Sequence, residues 1–482
     1  MAAAVTDMRI ARPATWPVLV VTVVVGVCTD LAFRASNVGL AATLLLVATC
    51  AGLVVSRRVV SRHGLVALGL AAALAVFLSV RHSAWLLVPD VLVALGLVLL
   101  ACGMATEGSL FDLSFARAQA LGARVLLHLP AGAWFVATPL RAAGAAIVGE
   151  RRAAAAAAAR GVLLAIPVVL LLGWLLAQAD AVFASFFQVR SDPLEWVGHA
   201  LLFAVGALAA AGAARAASGV PMGTLPRAGW RVGGIETLVV LVALDLVFAT
   251  FTVAQVVAAT SAGAAAIRSQ GLTYAEYAHS GFFQLLWVAG LTLVLLLVLR
   301  SFVNLGDAVA RRAFLVAAEL SIVFTLLIVA VAFQRLSLYV SVYGLSMLRL
   351  YCLVFAGWIV LVYVALGVSL LRAGDRRQWF PGAMALAGIA GLLALNVASP
   401  EALVARYNLA TTQQTQRFDP DYLVTLSADA IPALAEALPG MPPDARATVH
   451  ERVCGGAPFT APGWAALNWS DAAADAARRR VC

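Results

Sequence analysis

Asp245 falls in the middle of an apolar run, 235–258, long enough to span a bilayer. A carboxyl at that depth is expensive, so it reads either as a proton or cation site or as a hydrogen-bonded contact between helices. Asp30, Asp90, Gln255 and Arg349 form a second set, because all four lie near the same end of their own apolar runs. An arginine in lipid is stabilised by a carboxylate, each offsetting the desolvation of the other, so Asp90 or Asp30 is the expected partner of Arg349. The alternative has Arg349 snorkelling to the headgroups while the aspartates cap helix ends. Glu319 and Glu236 lie toward the opposite end, either as counterparts in a proton path or as solvated edge residues.

Familiar catalytic spacings are missing: no G-x-x-x-x-G-K-[ST], H-E-x-x-H, G-x-S-x-G or C-x-x-C occurs. The six histidines, His63, His82, His128, His199, His279 and His450, offer no i, i+4 pair that could begin a metal site, and read as solvated polar residues. No catalytic residue, metal or cofactor is therefore expected. Cys28, Cys50, Cys102 and Cys352 sit in apolar runs as small fillers, whereas Cys454 and Cys482 lie in a polar tail where an oxidising compartment would permit a disulfide.

What must position these residues is a membrane bundle. Hydrophobic residues make up 63% of the 482 positions and charged ones 12%, outside the soluble range, so the chain needs lipid as its solvent. Eleven runs of about 18 or more apolar residues are expected to cross: 14–33, 38–55, 64–80, 84–102, 161–178, 196–214, 235–258, 281–299, 313–334, 348–371 and 381–398. The start, "MAAAVTDMRIARPATWPVLV", has a basic lead and no small-residue cleavage site, so the first run is expected to stay as an anchor.

All 33 basic residues are arginine, and most fall in alternate short loops. That bias places the amino terminus in the cytoplasm and, after an odd number of crossings, the tail outside. The net charge of +9 then reflects membrane topology rather than nucleic-acid binding. The segment 121–149, within a cytoplasmic or interfacial stretch 103–160, is interrupted by Pro130, Pro139 and Arg141, and reads as an interfacial helix or re-entrant hairpin. "RRAAAAAAARG" (151–161) is a strong helix former leading into the fifth run.

The fold expectation is thus an all-α polytopic bundle of about eleven transmembrane helices over 1–398, with a small exterior helical tail over 399–482. In that tail Ser399 and Asp419, each followed by proline, read as N-caps, and "SADAIPALAEAL" reads as a short amphipathic helix. Between two apolar runs, "QRLSLYVSVYGLSMLRLY" (334–351) reads as an outer junction, with Arg335, Tyr339 and Tyr343 at the interface and Gly344 accommodating the reversal.

Several stretches carry a resemblance: "ADAVFASFF" (179–187), "DLVFATFTVAQV" (245–256), "GLTYAEYAHSGFFQLL" (271–286), "YVSVYGLSMLRLY" (339–351), "EALVARYNL" (401–409) and "DYLVTLSADAIPAL" (421–434). Together they resemble a bacterial membrane family catalogued as domain of unknown function 4173, related to a group numbered 4153. The resemblance implies an integral plasma-membrane protein and carries no activity or site residues with it. After "TYAEYA" similar proteins would have a basic pair, and this chain has His279 and Ser280, which removes support for an anion-binding loop.

The expected function is non-enzymatic, either envelope sensing and scaffolding or transport. One alternative is an ion-coupled transporter built on Asp245 and the polar group around Arg349; another is an intramembrane enzyme acting on lipid or cell-wall precursors. The expected partners are the lipid bilayer and, through the tail, an envelope protein; nucleic acid is not among them.

Overall fold

The computed structural model describes residues 10–105, 115–148, 193–219, 232–258, 282–304, 308–372, 379–411 and 419–482. The expected span at 161–178, the helix at 151–161, the motif at 179–187 and the His279–Ser280 departure lie outside them.

The described residues are all-α apart from a two-residue parallel pairing of Val232–Gly233 with Val303–Asn304 and an isolated bridge between Ile10 and Gly219. In lipid a backbone without internal hydrogen bonds is too costly, and a single-chain apolar run satisfies that demand only as a helix. Eight such runs are long and apolar enough to cross a membrane among the described residues. They are α1 (Trp16–Arg34), α4 (Ala84–Gly103), α7 (Pro193–Ala216), α8 (Gly234–Ala258), α9 (Phe282–Phe302), α10 (Ala308–Tyr343), α11 (Met347–Leu371) and α12 (Trp379–Ala398). Two apolar helices are shorter, α2 (Leu40–Val55) and α3 (Arg62–Phe77). Their outward faces remain apolar, with Val20, Val239, Leu246, Leu291 and Val316 all more than 60% exposed. Such a surface suits lipid and would aggregate in water.

The segment around Pro130 forms two helices, α5 (Phe115–His128) and α6 (Gly132–Val148), bent by 58° at the break. Proline cannot donate the helical hydrogen bond, so α5 ends just before Pro130. The bent shape is that of a re-entrant hairpin or a broken span rather than one straight interfacial helix.

α10 departs most from the sequence reading. Its 36 residues continue nine past the expected end at 334, so most of the junction stretch is helix rather than loop. At about 1.5 Å per residue it is roughly 54 Å long, well beyond the ~30 Å hydrocarbon core. The reversal is compressed into Gly344–Ser346, where Gly344 takes φ +76°, a left-handed conformation that side chains resist. Ser346 then caps α11.

Residues 400–411 and 419–482 form short helices: α13 (Pro400–Thr411), α14 (Pro420–Val424), α15 (Ile431–Ala437), α16 (Pro443–Cys454) and α17 (Trp469–Val481). Leu423, Ile431 and Leu434 of this tail share one buried cluster with Ile359, Tyr363 and Leu366 of α11, so the tail is packed onto the bundle. Cys454 and Cys482 are joined by a disulfide.

One local expectation needs correction. Asp419 caps α14 through the Tyr422 N–H (2.9 Å), but Ser399 takes φ +53° at the corner between α12 and α13, and its buried hydroxyl has no hydrogen-bond partner among the described residues. Within "SADAIPALAEAL", Ile431, Leu434 and Leu438 are buried among the tail helices α13, α16 and α17 while Glu436 stays exposed.

Candidate functional site

Among the described residues, buried polar side chains gather where the tail meets the ends of α1–α4 and α12. The turn between α3 and α4 brings His82 and Ser83 to this end, and the turn between α1 and α2 brings Asn37. From the tail come Glu401 at the start of α13, Asp429 just before α15, and Asn468, Ser470 and Asp471 at the start of α17.

Asp429 is 6% exposed and accepts hydrogen bonds from the backbone N–H groups of His82 (3.3 Å) and Ser83 (3.0 Å) and from the Ser470 hydroxyl. Glu401 accepts from the Ser83 hydroxyl (2.5 Å) and the Ser427 N–H (2.6 Å). Asp471, fully buried, lies 2.7 Å from His82 Nδ1 and accepts from Asn37 Nδ2 at 2.8 Å. Hydrogen bonds of this kind satisfy carboxylate oxygens that are buried away from water. Asn468 caps α17 through the Ser470 N–H and also donates to the carbonyls of Arg81 (2.9 Å) and Val38 (3.2 Å).

Backbone contacts extend the junction. Leu40 N–H donates to Leu467 O at 2.9 Å and Trp469 N–H to Ser79 O at 2.8 Å. Gly39 lies so close that an added Cβ would meet the Leu467 carbonyl at 2.6 Å. The exposed rings of Trp464 and Trp469 sit at this level, as interfacial aromatics do. On the other side of the tail, Asn408 both accepts from Leu345 N–H and donates to Leu345 O, each at 2.7 Å, and the Tyr422 hydroxyl accepts from Met347 N–H.

The residues singled out from sequence do not converge here. Asp30 of α1 pairs with His199 of α7 at 2.7 Å, Asp90 of α4 accepts from Asn396 of α12 at 2.8 Å, and Asp245 of α8 accepts from Ser321 of α10 at 2.6 Å. Each acid is used between a different pair of helices. Arg349 therefore has neither expected aspartate: its Nη1 donates to the carbonyls of Tyr343 (3.0 Å) and Gly344 (2.6 Å), and its guanidinium stacks over Tyr339 at 4.4 Å. The tight turn at Gly344 leaves those carbonyls without helical donors, so they satisfy the arginine locally. Gln255 joins Arg335 instead, at 3.1 Å, while Tyr339 and Tyr343 pack ring to ring at 4.8 Å. His82 and His199 both face carboxylates, which corrects their reading as solvated residues. Among the described residues no three His, Cys, Asp or Glu side chains converge as metal ligands.

A family model described as a domain of unknown function (DUF4153) matches residues 67–437. The chain belongs to the DUF4153 family. The model that matches is that of the related group numbered 4153 and not of the group numbered 4173 that the motifs resemble. No curated protein matches the chain, and neither does any solved structure. The DUF4153 stretch holds His82, Ser83, Glu401 and Asp429, while Asn37, Asn468, Ser470 and Asp471 lie outside it.

His82 makes the junction sensitive to pH. Its hydrogen bond to Asp471 raises its pKa above the ordinary histidine value of 6.5, against the opposing effect of burial, and Asp429 and Glu401 add to the rise. A group whose folded pKa is raised contributes its full stabilisation below the unfolded value and loses it as pH climbs through the folded one. Tail docking is therefore expected to weaken above neutrality, read as a longer spin-label distance between α17 and α3 in the reconstituted protein. His82→Gln should flatten that dependence.

Proposed function

We propose that this multi-pass protein is an envelope sensor or scaffold of the bacterial plasma membrane, with the amino terminus in the cytoplasm and the tail outside. The observation that carries this reading is the junction itself: Asp429, Glu401 and Asp471 are buried between a small tail and the connections of the bundle. Polar contacts of this kind fix register and can be released by protonation or by a competing partner, whereas an apolar contact would only hold. The arginine bias and the Cys454–Cys482 disulfide support an exterior tail, because disulfides persist in oxidising compartments.

Intramembrane catalysis is less favoured, since it needs the acidic residues to cluster, and ion-coupled transport loses the polar group expected around Arg349, which bonds the Tyr343 and Gly344 carbonyls while Gln255 joins Arg335. Asp30, Asp90 and Asp245 instead meet His199, Asn396 and Ser321 on separate helix pairs.

The test is complementation of a deletion strain by a chain ending at 398, with insertion checked by membrane fractionation and tail exposure checked with a membrane-impermeant label. The truncated chain should insert and fail to complement. Full complementation by it, or a tail labelled only from the cytoplasm, would remove the proposal.

A further inference from the structure

Between α9, α10 and α11, at the end of the bundle that carries the tail, lies a cavity of about 160 Å³. Phe282, Phe283, Leu336, Leu348 and Cys352 give it an apolar wall. Its polar edge is made by Tyr339, Ser346 and Arg349. An apolar cavity of about 150 Å³ holds a benzene-sized group, so this one has room for a segment of a hydrocarbon chain and too little for a folded peptide.

Arg349 supplies the second feature. Only its Nη1 is committed, to the Tyr343 and Gly344 carbonyls, and among the described residues neither Nε nor Nη2 has a hydrogen-bond partner. Stacking over Tyr339 fixes the guanidinium plane at the rim of the cavity. No carboxylate pairs with it among the described residues. Ser346, Leu348 and Arg349 also form the first turn of α11, whose amino end adds partial positive charge at the same place.

The geometry points to a binding site for an anionic phospholipid, one acyl chain filling the cavity and the headgroup phosphate held by the open side of Arg349. Charge and shape both select this occupant. A zwitterionic lipid would fill the apolar part equally well but would bring its own cation to the arginine. Inorganic phosphate would satisfy the arginine and leave the cavity empty, which forfeits dispersion contacts along its lining. The site adjoins the tail contacts at Leu345 and Met347 but uses none of the Asp429, Glu401 or Asp471 bonds, and it stands whether or not the tail signals.

The experiment is native mass spectrometry of the delipidated full-length chain titrated with phosphatidylglycerol or phosphatidylcholine of equal chain length. Wild type should retain the anionic lipid about tenfold more strongly, the scale of one charge-assisted hydrogen bond. Arg349→Gln should abolish the preference and Arg349→Lys should restore part of it, with thermal melting confirming that each variant is folded. Cys352→Phe, which fills the cavity and keeps the arginine, should weaken both lipids. Equal retention of the two lipids by wild type, an unchanged preference in Arg349→Gln, or full displacement by inorganic phosphate would overturn the proposal.

Discussion

Asp429→Ala is expected to release the tail from the bundle. The substitution leaves the His82 and Ser83 N–H groups and the Ser470 hydroxyl without their shared acceptor, in a place water does not reach. Each orphaned buried donor costs about 1–3 kcal/mol, so the loss should be about 3 kcal/mol or more, concentrated at the junction. Little compensation is available, since the remaining carboxylates are committed: Glu401 to Ser83 and Ser427, Asp471 to His82 and Asn37. Asp429→Asn should be intermediate, because it keeps a carbonyl acceptor but points an NH2 group at other donors. Spin-label distances between tail and bundle, together with protease resistance of residues 419–482, measure the release. A wild-type distance distribution in Asp429→Ala would mean that apolar packing of Leu423, Ile431 and Leu434 alone holds the tail.

The second large effect belongs to Asp90 and Asn396. Both are buried, at 1% and 0% exposure, and they meet through a single hydrogen bond between α4 and α12, beside which Asp90 Oδ2 and Asn396 Oδ1 have no partner among the described residues. Arg81 then ties the end of α12 to the α3–α4 turn by donating to the Asn396 (2.6 Å) and Val397 (3.1 Å) carbonyls. Asn396→Leu strands the Asp90 carboxyl and should destabilise by about 1–3 kcal/mol. A side-chain hydrogen bond between membrane helices is itself worth only about 0.6 kcal/mol on average, so most of that cost is the stranded group rather than the lost bond. Replacing both, Asp90→Leu with Asn396→Leu, should therefore be less damaging than Asn396→Leu alone. Unfolding of the four proteins in mixed micelles gives the cycle. Additive single effects would show that the two residues do not act as a pair.

The two predictions share a cause that bears on how the chain was readable. The membrane helices were legible because each depends on its own residues: an apolar run long enough to cross must be helical wherever its neighbours lie. The expected runs at 84–102, 235–258 and 348–371 coincide with α4, α8 and α11 to within a residue or two. The Asp419 cap and the reversal at Gly344 were legible for the same reason, being chemistry within a few positions of the chain. α10 was cut short because the junction stretch is polar enough to look like loop. Its continuation rests on Leu336 and Val340 being buried against neighbouring elements.

Partners of the buried polar residues were not legible. Asn37 meets Asp471 across 434 positions, and Ser83 meets Asp429 across 346. In the sequence Asp471 is an ordinary acid in a first helical turn and Asp429 one polar letter in "SADAIPAL". Arg349 shows the converse, since its partners proved to be carbonyls five and six positions away rather than distant aspartates. The sequence by itself determined that this chain lives in a membrane and where most of its helices run, because desolvation of the backbone is a local cost. Only the tertiary structure decided which charges face one another, because a buried carboxylate is stabilised by whichever donors the packing of remote segments brings within about 3 Å.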